Sequence, residues 1–260
     1  MKRSVNSQDK DKARKILLAM DIASQSLAAS KIAFSLAHRL QAELIGLFVE
    51  DEDLLASTQF PFASEIIAST AAERKLDYSD MERSLRAWSS QMQKQLLKQA
   101  QHTNIKCSFR TFRGRKIETL LAQTETSSLL VFSGLRISHY PTHDIAHSVY
   151  LLVDDNSDLG HSLKLVKQLI SEGINHVVLI DTGKEKSRDK VSTAVDTLSK
   201  TNTHILAKKL SEPLSKELGA IIKNFPAVLV LVPAAHEICQ QTNAFKELQK
   251  NLSCPVVVVN

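Results

Sequence analysis

Residues 15–53 read KILLAMDIASQSLAASKIAFSLAHRLQAELIGLFVEDED, and they decide the fold class. KILLAM (15–20) is an unbroken apolar run of strand length, the pattern of a strand buried on both faces. It ends at Asp21. Leu27, Ile32, Leu36 and Leu40 then recur on or near one face of a helix. AELIGLFVE (42–50) is a second buried run. Two such strands joined by a crossover helix, rather than by a hairpin turn, lie parallel.

The same alternation continues. NIKCSFRTF (104–112) reads as a strand, KIETLLAQT (116–124) as a helix and SSLLVFS (127–133) as a strand. SVYLLVDD (148–155) then repeats the character of KILLAMD. After it, LGHSLKLVKQLISEG (159–173) has Leu159, Leu163, Val166 and Ile170 in line, with Gly173 as its C-cap. HVVLID, KVSTAVDTLSK, THILAKK, SEPLSKELGAIIKN, AVLVLV, AFKELQKNL and PVVVV complete the half as strand and helix in turn, with Ser211 and Pro213 opening the fourth of these segments. The class is α/β: two tandem doubly wound parallel-sheet domains. Residues 1–14 form a basic tail expected to be disordered, 15–134 the first domain, 135–148 a linker and 149–260 the second domain. A helical insertion occupies 52–102. In it Ser79 and Glu82 fit a capping box, and Met81, Leu85, Trp88, Met92 and Leu96 form an apolar stripe suited to core packing or to dimerisation.

The halves are unequal. The second has five strands and the first four, because the residues between Gly134 and the next strand are too few for a helix and a strand. An open edge is therefore expected at the fourth strand of the first half. Such edges tend to be paired or covered, so the other half or a second copy is expected there.

The net charge is +5, but residues 1–15 alone carry +4 of it. With aromatics at 5%, no specific nucleic-acid binding is expected. No apolar run reaches membrane-spanning length, and the charged N-terminal stretch has no apolar signal core, so the expected location is the cytoplasm. Cys107, Cys239 and Cys254 are widely spaced, which suits a reducing compartment. The seven glycines never come closer than ten residues. Walker, Rossmann and kinase-type phosphate loops, which need clustered glycines, are excluded.

Residues 15–53 resemble the opening strand–helix–strand of the universal stress protein family, in which an apolar strand ends in Asp, with Ser shortly after. SVYLLVDDNSD (148–158) resembles a second, diverged opening, and LSCPVVVVN (252–260) that family's last strand. The resemblance implies a Rossmann-like five-stranded sheet in the order 3-2-1-4-5 in each half, with the first half lacking its fifth strand. It implies a ligand crevice where strands 1 and 4 diverge. Nucleotide-binding members hold ATP there with the Asp ending strand 1, backbone after strand 2 and a glycine loop after strand 4. Asp21, Val49 and Gly134 match these positions as cofactor-binding candidates. The rest of the loop is missing, and the second half offers Asp154 followed by VPAAHEIC (232–239). Ser24 and Ser26 read as helix-capping groups.

VDDNSD (153–158) imitates the acidic pair of a response-regulator receiver, but the third strand ends in Lys208 and Lys209 rather than a phospho-acceptor Asp. Arg110, Arg113, Arg115 and Lys116 surround a strand end and a helix start, where an anion would be attracted. His139, His143 and His147 have four-residue spacing, but Pro141 breaks a helix through all three, leaving His143 and His147 as a metal pair. No nucleophile–base pair stands out. The expectation is a non-enzymatic universal-stress-type binding or regulatory module of the stress response, with no cofactor and no metal and with a degenerate nucleotide site. It would act through a protein partner or as a homodimer. ATP or AMP binding near Asp21 and Gly134 is the first alternative, and a metal-responsive module at His143 and His147 the second.

Overall fold

The computed structural model describes residues 14–20, 27–66, 71–126, 128–134, 148–210, 214–224 and 227–260. The basic tail to residue 13, Asp21, Ser24, Ser26, the linker to residue 147 with its histidines, Ser211 and Pro213 lie outside them. The first half runs β1 (Lys15–Met20), α1 (Leu27–Arg39), β2 (Glu43–Asp51), α2 (Glu52–Ser57), β3 (Ser64–Ile66), β4 (Glu73–Lys75), α3 (Tyr78–Thr103), β5 (Cys107–Gly114), α4 (Lys116–Ala122) and β6 (Leu129–Phe132). The second runs β7 (Ser148–Val153), α5 (Gly160–Ile170), β8 (His176–Asp181), α6 (Lys186–Leu198), β9 (His204–Lys209), α7 (Leu214–Asn224), β10 (Ala227–Pro233), α8 (Glu237–Gln240), α9 (Thr242–Asn251) and β11 (Val256–Val259).

The two halves share one nine-stranded sheet, ordered β5-β2-β1-β6-β11-β10-β7-β8-β9. Within each half every pairing of this sheet is parallel, in the order 3-2-1-4 and then 5-4-1-2-3. The halves meet antiparallel: Phe132, Val131, Leu130 and Leu129 face Val256, Val257, Val258 and Val259. The edge left by the missing fifth strand is therefore closed by the fifth strand of the other half. Asn260 extends the joint by donating its amide to the Ser128 carbonyl (3.1 Å).

Residues alternate between the faces of the sheet, and each face carries a core that crosses the joint. Leu18, Val131, Val257 and Leu151 pack beneath α1, α3, α5 and α6. Leu17, Leu130, Val258 and Tyr150 pack beneath α4, α7, α8 and α9. Phe132 of the first half meets Phe245 of the second in a tilted ring contact at 4.8 Å. Arg39 at the end of α1 also pairs with Glu172 beyond α5.

Two local expectations change. The extra chain is shorter than 52–102, because α3 is itself the crossover from β2 to β5. Leu96 and Ala100 join the core under α1, while Leu85 and Met92 pack with Phe48 and Leu55 and against Trp88. The additional material is α2 and the β3–β4 hairpin. The cap of α3 is Asp77, whose carboxylate accepts from the amides of Ser79 (2.8 Å) and Asp80 (3.2 Å). Ser79 therefore lies inside the helix, and Glu82 turns to Arg113 (2.7 Å). A carboxylate two residues before Ser79 reaches the orphan amides of the first turn and adds a favourable charge.

Leu96→Ala is expected to cost about 2–5 kcal/mol in urea unfolding, as for a crossover helix in the core. Phe62→Ser on the exposed hairpin approach is expected to stay within about 0.5 kcal/mol of the parent.

Candidate functional site

In an open parallel sheet, ligands enter beyond the carboxyl ends of strands 1 and 4. In the second half these ends are Val153 and Pro233, and the protein's own groups meet between them. Asp154 follows β7 directly and is 4% exposed. One carboxylate oxygen accepts from the Ser157 amide (2.7 Å), the Ser157 hydroxyl (2.6 Å) and the Asn156 amide (3.1 Å). The other accepts from the Glu237 amide across the crevice (2.7 Å). Burial opposes its charge, but the donors from Glu237 and Ser157, with His236 alongside, outweigh burial and hold the carboxyl below its ordinary value.

His236 closes the other side and is 2% exposed. The Ile238 amide donates to its Nδ1 (3.1 Å), so the ring proton sits on Nε2 and is donated to Thr182 Oγ1 (2.9 Å). Thr182 passes its own proton to the Val153 carbonyl (3.2 Å). Asp154, His236 and Thr182 thus tie together the ends of β7, β8 and β10. The imidazole lies 3.6 Å from Asp154, but burial dominates and lowers its pKa from the ordinary 6.5.

Asp155 closes the rest of the crevice. It accepts from the amides of Lys184 (3.1 Å) and Ser187 (2.8 Å) at the start of α6, and the Lys184 amide leads the donors that depress its pKa. A carboxylate from the chain itself thus occupies a helix start that would otherwise attract an anion. Gly183 makes this approach possible, since a Cβ there would lie 2.5 Å from Ser187 Cβ and 2.8 Å from Asp155 Oδ1. Lys190 binds the carbonyls of Asp155 and Ser157 at 2.7 Å each and pins the loop from above.

The first half places its candidates differently. Asp21 lies outside the described residues. Val49 lies within β2, in register with Phe112 of β5, and its side chain is buried in the core. Gly134, beyond β6, faces the turn that carries α9 into β11. A Cβ at Gly134 would lie 2.6 Å from the Leu252 carbonyl oxygen and 2.7 Å from that of Cys254. That approach accounts for the glycine by packing, and Gln249 reinforces it by donating to the Ser133 carbonyl (3.0 Å).

Arg113 and Arg115 of the arginine cluster are paired. Arg113 bridges Glu50 (2.9 Å) and Glu82 (2.7 Å), and Arg115 lies between Asp53 (3.7 Å) and Glu118 (3.9 Å). Among the described residues no three histidines, cysteines or carboxylates are grouped as a metal site. The roles of His236, Thr182 and Asp155 are not apparent from sequence spacing. The one signal was a histidine, rather than a glycine loop, directly after the fourth strand of the second half.

A doubly wound tandem with a 3-2-1-4-5 order and crevices at strands 1 and 4 has the fold of the universal stress proteins. No protein-family profile and no curated protein matches the sequence. Among solved structures, a universal stress protein from Archaeoglobus fulgidus DSM 4304 superposes with a TM-score of 0.53 at 11% identity, covering 95% of this chain and 96% of that one. A functionally unknown protein from Pseudomonas aeruginosa PAO1 gives 0.47 at 10% identity, covering 95% and 92%.

Gly134→Ala is expected to destabilise by about 1–3 kcal/mol in urea, since the obstructing atoms are backbone. The unfolded chain binds a proton at His236 more tightly than the folded one. Wild-type stability should therefore fall as pH drops below 6.5 and be insensitive to this group above it. His236→Asn keeps an acceptor for Ile238 but cannot titrate, so its melting profile should lack that step.

Proposed function

We propose that this chain is a universal-stress-type protein that works without catalysis, as a binding or regulatory module of the stress response in the cytoplasm, with the phosphate loop lost from both halves. The observation that carries this reading is the state of Asp154. It stands where nucleotide-binding members offer a carboxylate to ligand, yet four donors of the same chain already occupy it. The absence of clustered glycines agrees with this, because no loop can wrap a triphosphate closely.

Action through protein contacts is supported by the segment between α2 and α3. Phe60 and Phe62 stack at 6.1 Å and are 56% and 83% exposed, with Ile66 and Tyr78 also open to solvent. Such a group of exposed apolar side chains is characteristic of an interaction surface. No described helix is long and apolar enough to cross a membrane.

Calorimetric titration with ATP, ADP and AMP is expected to give no saturable heat. Nucleotide binding that weakens in Asp21→Ala would overturn the reading in favour of a rebuilt site in the first half.

A further inference from the structure

The second half carries a cleft away from both crevices. Helix α7 seats Leu218 and Ile222 in the core, and among the described residues part of β7, β8 and β9 beside it lines an open cleft. The strand registers stack three rows on that face. Ser148, His176 and His204 form one, Tyr150, Val178 and Leu206 the next, and Leu152, Ile180 and Lys208 the third. Ala220 and Ile221 of α7 form the opposite wall, and the cavity is about 670 Å³, within the range of small-molecule sites.

The chemistry changes along the cleft. At one end His176 and His204 stack at 5.1 Å. The floor is apolar, and Leu206 is 55% exposed in the middle of a strand. At the other end stands Lys208. Among the described residues no ion pair engages it, whereas Lys209 leans the opposite way onto Asp181 (3.8 Å) and the Lys184 carbonyl (3.3 Å). Glu217 of α7 also lines the cleft and disfavours an anion with more than one charge.

We propose that this cleft binds a single-headed amphipathic carboxylate, with the head on Lys208 and the apolar chain along Leu206 towards the histidine pair. The length follows from the strand. His204 and Lys208 are four steps of about 3.3 Å apart, about 13 Å, which matches an extended chain of roughly ten carbons. Burying that chain covers Leu206 and Val178, and the head supplies a counter-charge to Lys208, which none of the described residues pairs with. The site shares no residue with the Asp154 and Gly134 crevices, so it stands or falls independently of the nucleotide titrations.

The test is calorimetric titration of the full chain with decanoate below its micelle-forming concentration, with butanoate and 1-decanol as length and charge controls. One decanoate should bind per chain, and both controls at least about tenfold more weakly. Lys208→Gln should weaken decanoate at least about tenfold, and Leu206→Glu should abolish binding, with circular dichroism melts like the parent's because both side chains are exposed. Three results would overturn the proposal: no saturable decanoate binding, equal binding by parent and both variants, or a parent dimer in sedimentation that Leu206→Glu dissociates. The last would assign the face to a second copy.

Discussion

Four backbone pairings between β6 and β11 hold the architecture together. Without them the first half would end in an open strand of only four residues, buried on both faces but unpaired on one side. With them, the two apolar layers run unbroken from one half to the other, and Phe132 packs against Phe245. The partner cannot be the next strand of the first half. A parallel strand after β6 would need a crossover helix of its own, and the chain supplies too few residues for one. The partner must therefore come from elsewhere, and β11 arrives with its own crossover, α9, already in place.

The crevices show how a binding fold comes to be filled by its own chain. A helix start and the carboxyl ends of parallel strands leave amides pointing outward, and something must accept from them. Asp155 accepts at the start of α6, and Asp154 accepts from the segment after β10. In the first half the second half's backbone lies against Gly134. In the second half the acidic side chains of its own loop take these amides, and at Gly134 of the first half the neighbouring half supplies the contact.

Much of this could be read from the residues. Unbroken valine, leucine and isoleucine runs gave the parallel strands, and the short span after Gly134 gave the missing strand. Other features could not be read, because they depend on atoms far apart in sequence. Nothing local marks β11 as the partner of β6, and the Gln249–Ser133 hydrogen bond beside the joint spans 116 residues. The role of α3 was obscured because its amphipathic stripe is as compatible with an added helix as with a crossover. Ser79 fits the capping pattern by residue type and spacing, but Asp77 caps the helix, because only backbone geometry separates residue types that suit that position equally. His236 was marked only by its place after the fourth strand, and its partnership with Thr182 and Asp154 could not be read because they follow other strands.

The joint between β6 and β11 also has a consequence for the order of synthesis. The first half can form β5, β2, β1 and β6 before β11, the strand that completes it, has been made. Until then Leu129, Val131 and their neighbours present an apolar edge with unsatisfied amides, the kind of surface that aggregates or recruits chaperones. Synthesis of the entire second half separates that edge from its partner. During that interval the nascent chain is an incomplete sheet, in a state that the finished molecule never displays.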